Sequence, residues 1–202
     1  MIIYLEGPDG SGKSALRKVL YREIKVRLLD FAPFGITGII ENGEDFIPTR
    51  PTNPKRLTLE RLISKLTEIV NDLHVIYICD RGPISDIIYR TFDQYRPLMS
   101  FTRYYKFWMD HRNLITTVYC DNDKSEEVML NRGDDNQIAI VHYKSIRYLY
   151  QQIMPLFTPV NYDFTTIVTE ERAKSNACWI IGNLLGGLNY YKTHQKSGGK
   201  KE

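Results

Sequence analysis

Gly7, Pro8, Asp9, Gly10, Ser11, Gly12, Lys13 and Ser14 match the pattern G-x-x-x-x-G-K-[ST] in full. Such a run serves one chemistry, the holding of a nucleoside triphosphate by its phosphates. Gly7, Gly10 and Gly12 let backbone N–H groups converge on phosphate oxygens with no Cβ in the way, and Ser11 adds a further donor. A helix beginning near Lys13 directs its positive dipole end at the same oxygens. Lys13 would reach the β- and γ-phosphates, and the Ser14 hydroxyl would join the coordination of Mg²⁺. A chain of 202 residues shows this pattern by chance about once in a hundred cases. The ordinary alternative is a glycine-rich turn with a surface lysine.

A second charged feature is the pair Asp80 and Arg81, which ends an almost continuous apolar run at residues 75–79. The carboxyl end of a strand is where α/β sheets place their ligands, although the same pair also fits a strand-end turn with an exposed ion pair. No Asn-Lys-x-Asp guanine-reading motif is present, so ATP is the expected nucleotide. The chain is too short for the auxiliary domains of most ATP-driven machines, which leaves a small kinase.

These residues need elements to hold them. Ile2, Ile3, Tyr4 and Leu5 form a β-prone run that stops at Gly7 and Pro8, and Ala15, Leu16, Val19, Leu20 and Ile24 then recur at a helical period. Arg17, Lys18, Arg22 and Lys25 occupy the other face of that helix. A second strand is expected near residues 26–31. Residues 32–54, rich in Gly and Pro, are long for a loop, so a strand or short helix is expected within them. Leu57, Leu59, Leu62, Ile63, Leu66, Ile69, Val70 and Leu73 predict an amphipathic helix after Pro54. Further strands are expected at residues 75–79, 114–120 and, more weakly, 165–168. Strands alternating with helices imply an α/β fold with a mostly parallel sheet. Residues 192–202 carry Gly198, Gly199 and four lysines, and read as a disordered tail.

Composition narrows the class. The chain is 43% apolar and 25% charged, with a formal net charge of +3, which suits one domain with a full core. That charge is too mild to imply nucleic-acid binding on its own. No run of 18 or more apolar residues exists, which excludes a helical membrane span, and Glu6 arrives too early for a secretory apolar region. A cytoplasmic location is expected. Cys79, Cys120 and Cys178 are odd in number and widely spaced, so neither a disulfide framework nor a zinc knuckle is indicated.

The run from Leu5 and Glu6 through Ser14 resembles the opening of thymidylate kinases, which carry an acidic residue inside the phosphate loop. Asp80, Arg81, Ser85, Ile88 and Tyr89 look like that family's Asp-Arg motif with its following Ser and aromatic, and the Arg132 and Gly133 region adds to a likeness spanning most of residues 1–170. The resemblance implies a three-layer P-loop kinase fold over residues 1–190, with a five-stranded, mostly parallel sheet and a small lid near residues 131–140. It implies ATP as donor, Mg²⁺ as cofactor, and Lys13, Asp80 and Arg132 as catalytic residues. Asp9 would approach the acceptor's 3′-hydroxyl, Asp80 would hold magnesium with Ser14 or orient the acceptor, and Arg81 would bind the acceptor phosphate. Thr49, Arg50 and Pro51 look like a shortened Thr-Arg-Glu-Pro segment, making Arg50 a second phosphate clamp and Arg61 a weaker one. Ser85 and Tyr89 would line the acceptor site, and Arg132 would close over ATP. Family members commonly dimerise through helices beside the sheet, which extends that option to this chain.

Two departures bear on the acceptor. Arg90 stands where the family has Gln or a small polar residue, and the Phe that stacks on thymine is not found in the helix after Pro54. The leading expectation is therefore transfer of the γ-phosphoryl of ATP to dTMP or a related, modified pyrimidine dNMP. The runner-up is a kinase of the same fold acting on a hydroxyl of a nucleoside, or of a hydroxymethylated base or an end in DNA. A non-catalytic nucleotide-binding module is a third reading. Arg50 and Arg61 also fit solvated surface charges, and Arg132 before Gly133 also fits a helix C-terminus. Asp121, Asn122, Asp123 and Ser125 read as a turn followed by a helix cap rather than a metal loop. His74, His111, His142 and His194 read as structural or exposed. The Tyr- and Arg-rich residues 89–108 read as core packing before base stacking.

Overall fold

The computed structural model describes residues 1–42, 59–92, 99–133, 136–157, 160–163 and 170–197. Its central strand, β1 (Ile2–Glu6), is buried along its whole length, and it shows no polar alternation because both faces are covered. Ile2 and Tyr4 enter one apolar core, while Ile3 and Leu5 enter the other. β2 (Gly38–Asn42), β3 (Val75–Asp80), β4 (Ile115–Asp121) and β5 (Val160–Asp163) join it in one parallel sheet, in the order β2-β3-β1-β4-β5.

Register brings the working ends together. Leu5 is aligned with Asp80 and Glu6 with Tyr119, so β3, β1 and β4 finish at one level. The chain leaves β1, adds β2 and β3 on one side, and then crosses to β4 on the other. Strand order therefore reverses at β1, and the crevice beyond its carboxyl end is the place where such sheets hold ligands.

Helices cover both faces. α1 (Lys13–Val26) follows the phosphate loop, α2 (Leu28–Phe31) comes next, and α3 (Leu59–Asn71) and α4 (Pro83–Arg90) flank β3. α5 (Phe101–His111), α6 (Ser125–Asn131), α7 (Gln137–Ile153) and α8 (Glu170–Ser197) complete the set among the described residues. Leu16, Leu20 and Ile24 of α1 pack with Ala173, Ala177, Ile180 and Ile181 of α8 against one side of the sheet. Leu62, Leu66, Ile88, Tyr104, Trp108 and Ile146, from α3, α4, α5 and α7, pack on the other. No helix among the described residues is long and apolar enough to cross a membrane.

Several expectations meet corrections here. Residues 26–31 form no strand: the Arg27 N–H bonds to the carbonyls of Glu23 and Ile24, so the helical ladder runs on into α2. Phe31 is buried while Val26 and Leu29 are exposed, a pattern without the period of two that a half-buried strand requires. The hidden strand within residues 32–54 is β2, reached through a 3₁₀ turn at Ala32–Phe34. The last strand lies at Val160–Asp163, upstream of the expected 165–168, which are outside the described residues. Residues 192–197, expected in a disordered tail, continue α8 to Ser197, because each residue added to an existing helix gains a backbone bond without a new nucleation cost. Residues 131–140 divide among the end of α6, a short connection whose residues 134 and 135 are outside the described residues, and the first turn of α7.

Candidate active site

The phosphate loop is shaped by what it rests on. Gly7 (φ +145°) and Gly10 (φ +77°) have backbone conformations that side chains rarely adopt. A Cβ on Gly7 would also overlap the Cys120 carbonyl at the end of β4, and one on Gly10 the Ser125 carbonyl at the start of α6. Gly12 caps α1 with no side-chain bond to its first N–H groups, which remain available to an anion. The Lys13 ammonium donates to the carbonyls of Gly7 (2.9 Å) and Pro8 (2.6 Å) and to Ser11 Oγ (3.2 Å). Lys13 is only 5% exposed. Burial lowers its proton affinity below the ordinary lysine range, Asp80 and Glu6 partly restore it, and Arg132 opposes it.

Beside the loop, Ser14 Oγ donates to Asp80 Oδ2 at 2.6 Å, bringing together two hard oxygen groups from α1 and β3. Both suit Mg²⁺ in kind. No group of three or more His, Cys, Asp or Glu able to hold a metal occurs among the described residues. Arg17 joins the same carboxylate, lying 3.5 Å from Asp80 Oδ2 while its Nε donates to Glu41 Oε1 at 2.9 Å.

A second cluster forms around Asp9, within the loop itself. Arg81 ion-pairs with Asp9, and its guanidinium sits 4.6 Å from the centre of the Tyr89 ring. Tyr89 Oη donates to the other Asp9 oxygen at 3.0 Å, and Asn136 Nδ2 approaches that oxygen at 3.3 Å. Arg81 has φ +76°, left-handed for a residue with a side chain, so its placement is maintained against a local cost.

Ser85 lies in the first turn of α4, one turn before Tyr89. It is fully buried, its hydroxyl donates to Glu6 Oε2, and it shares a 2.7 Å contact with Tyr150 Oη. Its polar capacity is thus spent on the scaffold. Glu6 has no exposed surface, and burial pushes its carboxyl up to about 7, with Ser85, Arg81 and Lys13 pulling the other way.

Arg132 is the C-cap of α6, followed by Gly133 at φ +66°, which is the helix-end geometry. Its charge nevertheless reaches Lys13. Arg50 lies outside the described residues, and Arg61 lies within α3 with its side chain outside them. Asp121 and Asp123 both accept from Arg147, so the candidate metal loop is a turn tied to α7. His74 and His111 bond to the carbonyls of Gly35 and Phe107, and His142 stacks on Phe92. Tyr104 and Trp108 are core residues, and burial raises the thiols of Cys79 and Cys120 to about 12. Arg17, Glu6 and Asn136 are site residues that motif reading passes over.

No family model and no curated protein gives a significant match to the sequence. Solved structures do match in fold. The YorR protein from Bacillus subtilis, solved in complex with phosphorylated GDP, superposes with a TM-score of 0.61 at 22% identity, over 90% of this chain and 96% of that one. Shikimate kinase from Bacteroides thetaiotaomicron gives a TM-score of 0.50 at 13% identity, over 91% and 98%. Thymidylate kinase from Candida albicans gives 0.44 at 14% identity, over 93% and 92%, too distant to bear on substrate. The shared architecture is the P-loop kinase fold.

Proposed function

We propose that the protein transfers the γ-phosphoryl of ATP to a deoxynucleoside monophosphate, dTMP or a related, modified pyrimidine nucleotide, giving the diphosphate. The observation that carries this reading is that the end of β3 pairs with the phosphate loop in two ways, Asp80 with Ser14 and Arg81 with Asp9, giving two charged sets. Lys13, Ser14 and Asp80 form one, and Asp9, Arg81 and Tyr89 form the other. One set suits a donor triphosphate and the other an anionic acceptor.

Lys13 would exchange the carbonyls of Gly7 and Pro8 for β- and γ-phosphate oxygens, and the anion would offset the burial that now lowers its proton affinity. Ser14 and Asp80 would hold Mg²⁺, which when bound neutralises phosphate charge. Arg81, oriented by Tyr89, would take the acceptor phosphate, with Arg50 and Arg61 as further cations. Asp9 would accept from the acceptor's 3′-hydroxyl. Arg132 would spread the charge of the transferred group. Ser85 would support the site by fixing α4 against Glu6.

The test is transfer of labelled γ-phosphate from ATP, with magnesium, to a panel of dNMPs, nucleosides and single- and double-stranded DNA, including hydroxymethylated bases. Labelled dNDP is expected. Label on a nucleoside or on DNA, with dNMPs inert, would replace this reading with a hydroxyl kinase. No transfer to any acceptor would reduce the protein to a nucleotide-binding module.

A further inference from the structure

Arg17 lies one helical turn beyond Lys13 on α1, on the charged face that a simple amphipathic reading gives to solvent. It does not face solvent freely: its side chain is 19% exposed, between Asp80 at 12% and Glu41 at 29%. Its guanidinium spans the carboxyl ends of two neighbouring strands, bonding Glu41 Oε1 at 2.9 Å on β2 and lying 3.5 Å from Asp80 Oδ2 on β3. That Asp80 oxygen also accepts from Ser14 Oγ at 2.6 Å.

We propose that Arg17 is a positioning residue for the magnesium–nucleotide, holding Asp80 so that its carboxylate meets Ser14 and anchoring that arrangement to the end of β2 through Glu41. The proposal rests on the phosphate loop binding a magnesium–nucleotide, and it is independent of the acceptor. Asp80 is the last residue of its strand, and a carboxylate there can rotate about two side-chain bonds. Ser14 restrains one oxygen from one direction, and Arg17 supplies the second restraint. A planar guanidinium can bond two carboxylates at once, which a lysine ammonium on a flexible stem does poorly.

The experiment is calorimetric titration of ADP into the full chain, once with Mg²⁺ and once with EDTA, for wild type, Arg17→Ala, Arg17→Lys, Glu41→Gln and the exposed control Lys18→Ala. Magnesium should tighten ADP binding to wild type and to Lys18→Ala equally. In Arg17→Ala that tightening should fall by about tenfold, the equivalent of about 1.4 kcal/mol, while binding in EDTA stays within about twofold. Arg17→Lys should recover less than half of the loss, and Glu41→Gln should fall between. Thermal melts accompany each titration, and if Arg17→Ala does not fold, Arg17→Lys and Glu41→Gln carry the test. Unchanged or increased magnesium tightening in the Arg17 variants would overturn the proposal, as would equal losses with magnesium and with EDTA. A wild type that gains nothing from magnesium would instead overturn the reading of the loop itself.

Discussion

Arg81 and Asp9 are ion-paired across the carboxyl edge of the sheet although 72 positions separate them in the chain. Their strands explain how they meet: Leu5 and Asp80 are register partners, Arg81 is the first residue past β3, and Asp9 lies in the loop that leaves β1. The Asp9 carboxylate therefore already occupies the guanidinium assigned to the acceptor phosphate. If the proposed acceptor binds, its phosphate would share Arg81 with Asp9 or displace it, and a displaced Asp9 would be free to accept from a sugar hydroxyl.

Arg81→Ala should raise the acceptor KM by roughly 10- to 100-fold, the usual cost of losing a charge-assisted hydrogen bond, while the KM for ATP changes by less than about threefold. Initial rates with each substrate varied in turn measure both. An unchanged acceptor KM would remove Arg81 from the acceptor site.

The backbone at Arg81 makes a separate prediction. At φ +76° glycine bears no Cβ penalty, whereas alanine does. Arg81→Gly and Arg81→Ala both remove the side chain, so their difference isolates the backbone. Arg81→Gly should be the more stable by about 1 kcal/mol, or roughly 2–4 °C in melting temperature for a chain of this size. Equal melting temperatures, or the reverse order, would mean that the left-handed conformation carries no cost here.

Lys13→Met should lower kcat/KM by on the order of 10²- to 10³-fold, the scale seen when one charge-stabilising group is removed from a reacting centre. The substitution keeps an unbranched stem in the buried site and removes a charge that burial disfavours, so the melting temperature should stay within a few degrees of wild type. Activity and melting measured on the same samples distinguish the two effects. A folded Lys13→Met with wild-type turnover would contradict the assignment of the phosphate loop.

The parts of this site that are legible in the sequence are the local ones. Gly7 to Ser14 are contiguous, and Asp80 with Arg81 ends an apolar run, so neighbours along the chain are enough to find them. Arg17 is different: its spacing assigns it to a charged helix face, and only the placement of β2 beside β3 shows that this part of the face meets Asp80 and Glu41. Glu6 reads simply as the first charge of the chain, because Ser85, the hydroxyl that bonds its buried carboxyl, lies far off in sequence. Asn136 both caps α7, accepting from the Ala139 N–H, and reaches Asp9, a double role that spacing alone does not reveal. Residues 26–31 mislead for a related reason: their apolar content suggests a strand, yet the ladder of α1 continues through them and no sheet edge receives them.

Glu6 makes stability depend on pH in the direction opposite to an ordinary salt-bridged carboxylate. Burial raises its carboxyl from 4.5 to about 7 in the folded chain, so the folded state holds the proton more tightly than the unfolded state does. Below pH 4.5 both states are protonated and burial of the neutral acid carries no ionisation penalty. Between 4.5 and about 7 the unfolded chain ionises first, binds fewer protons, and is favoured as pH rises. Above about 7 both are ionised and the loss is complete, at roughly 3 kcal/mol for this site alone. Glu6→Gln cannot ionise and retains an oxygen to accept from Ser85. Its advantage over wild type should therefore be small at pH 5 and grow by a few kcal/mol at pH 8, read as the difference between the two urea-unfolding midpoints at each pH. A difference that stays constant from pH 5 to pH 8 would show that Glu6 is ionised throughout, and that Arg81 and Lys13 outweigh its burial.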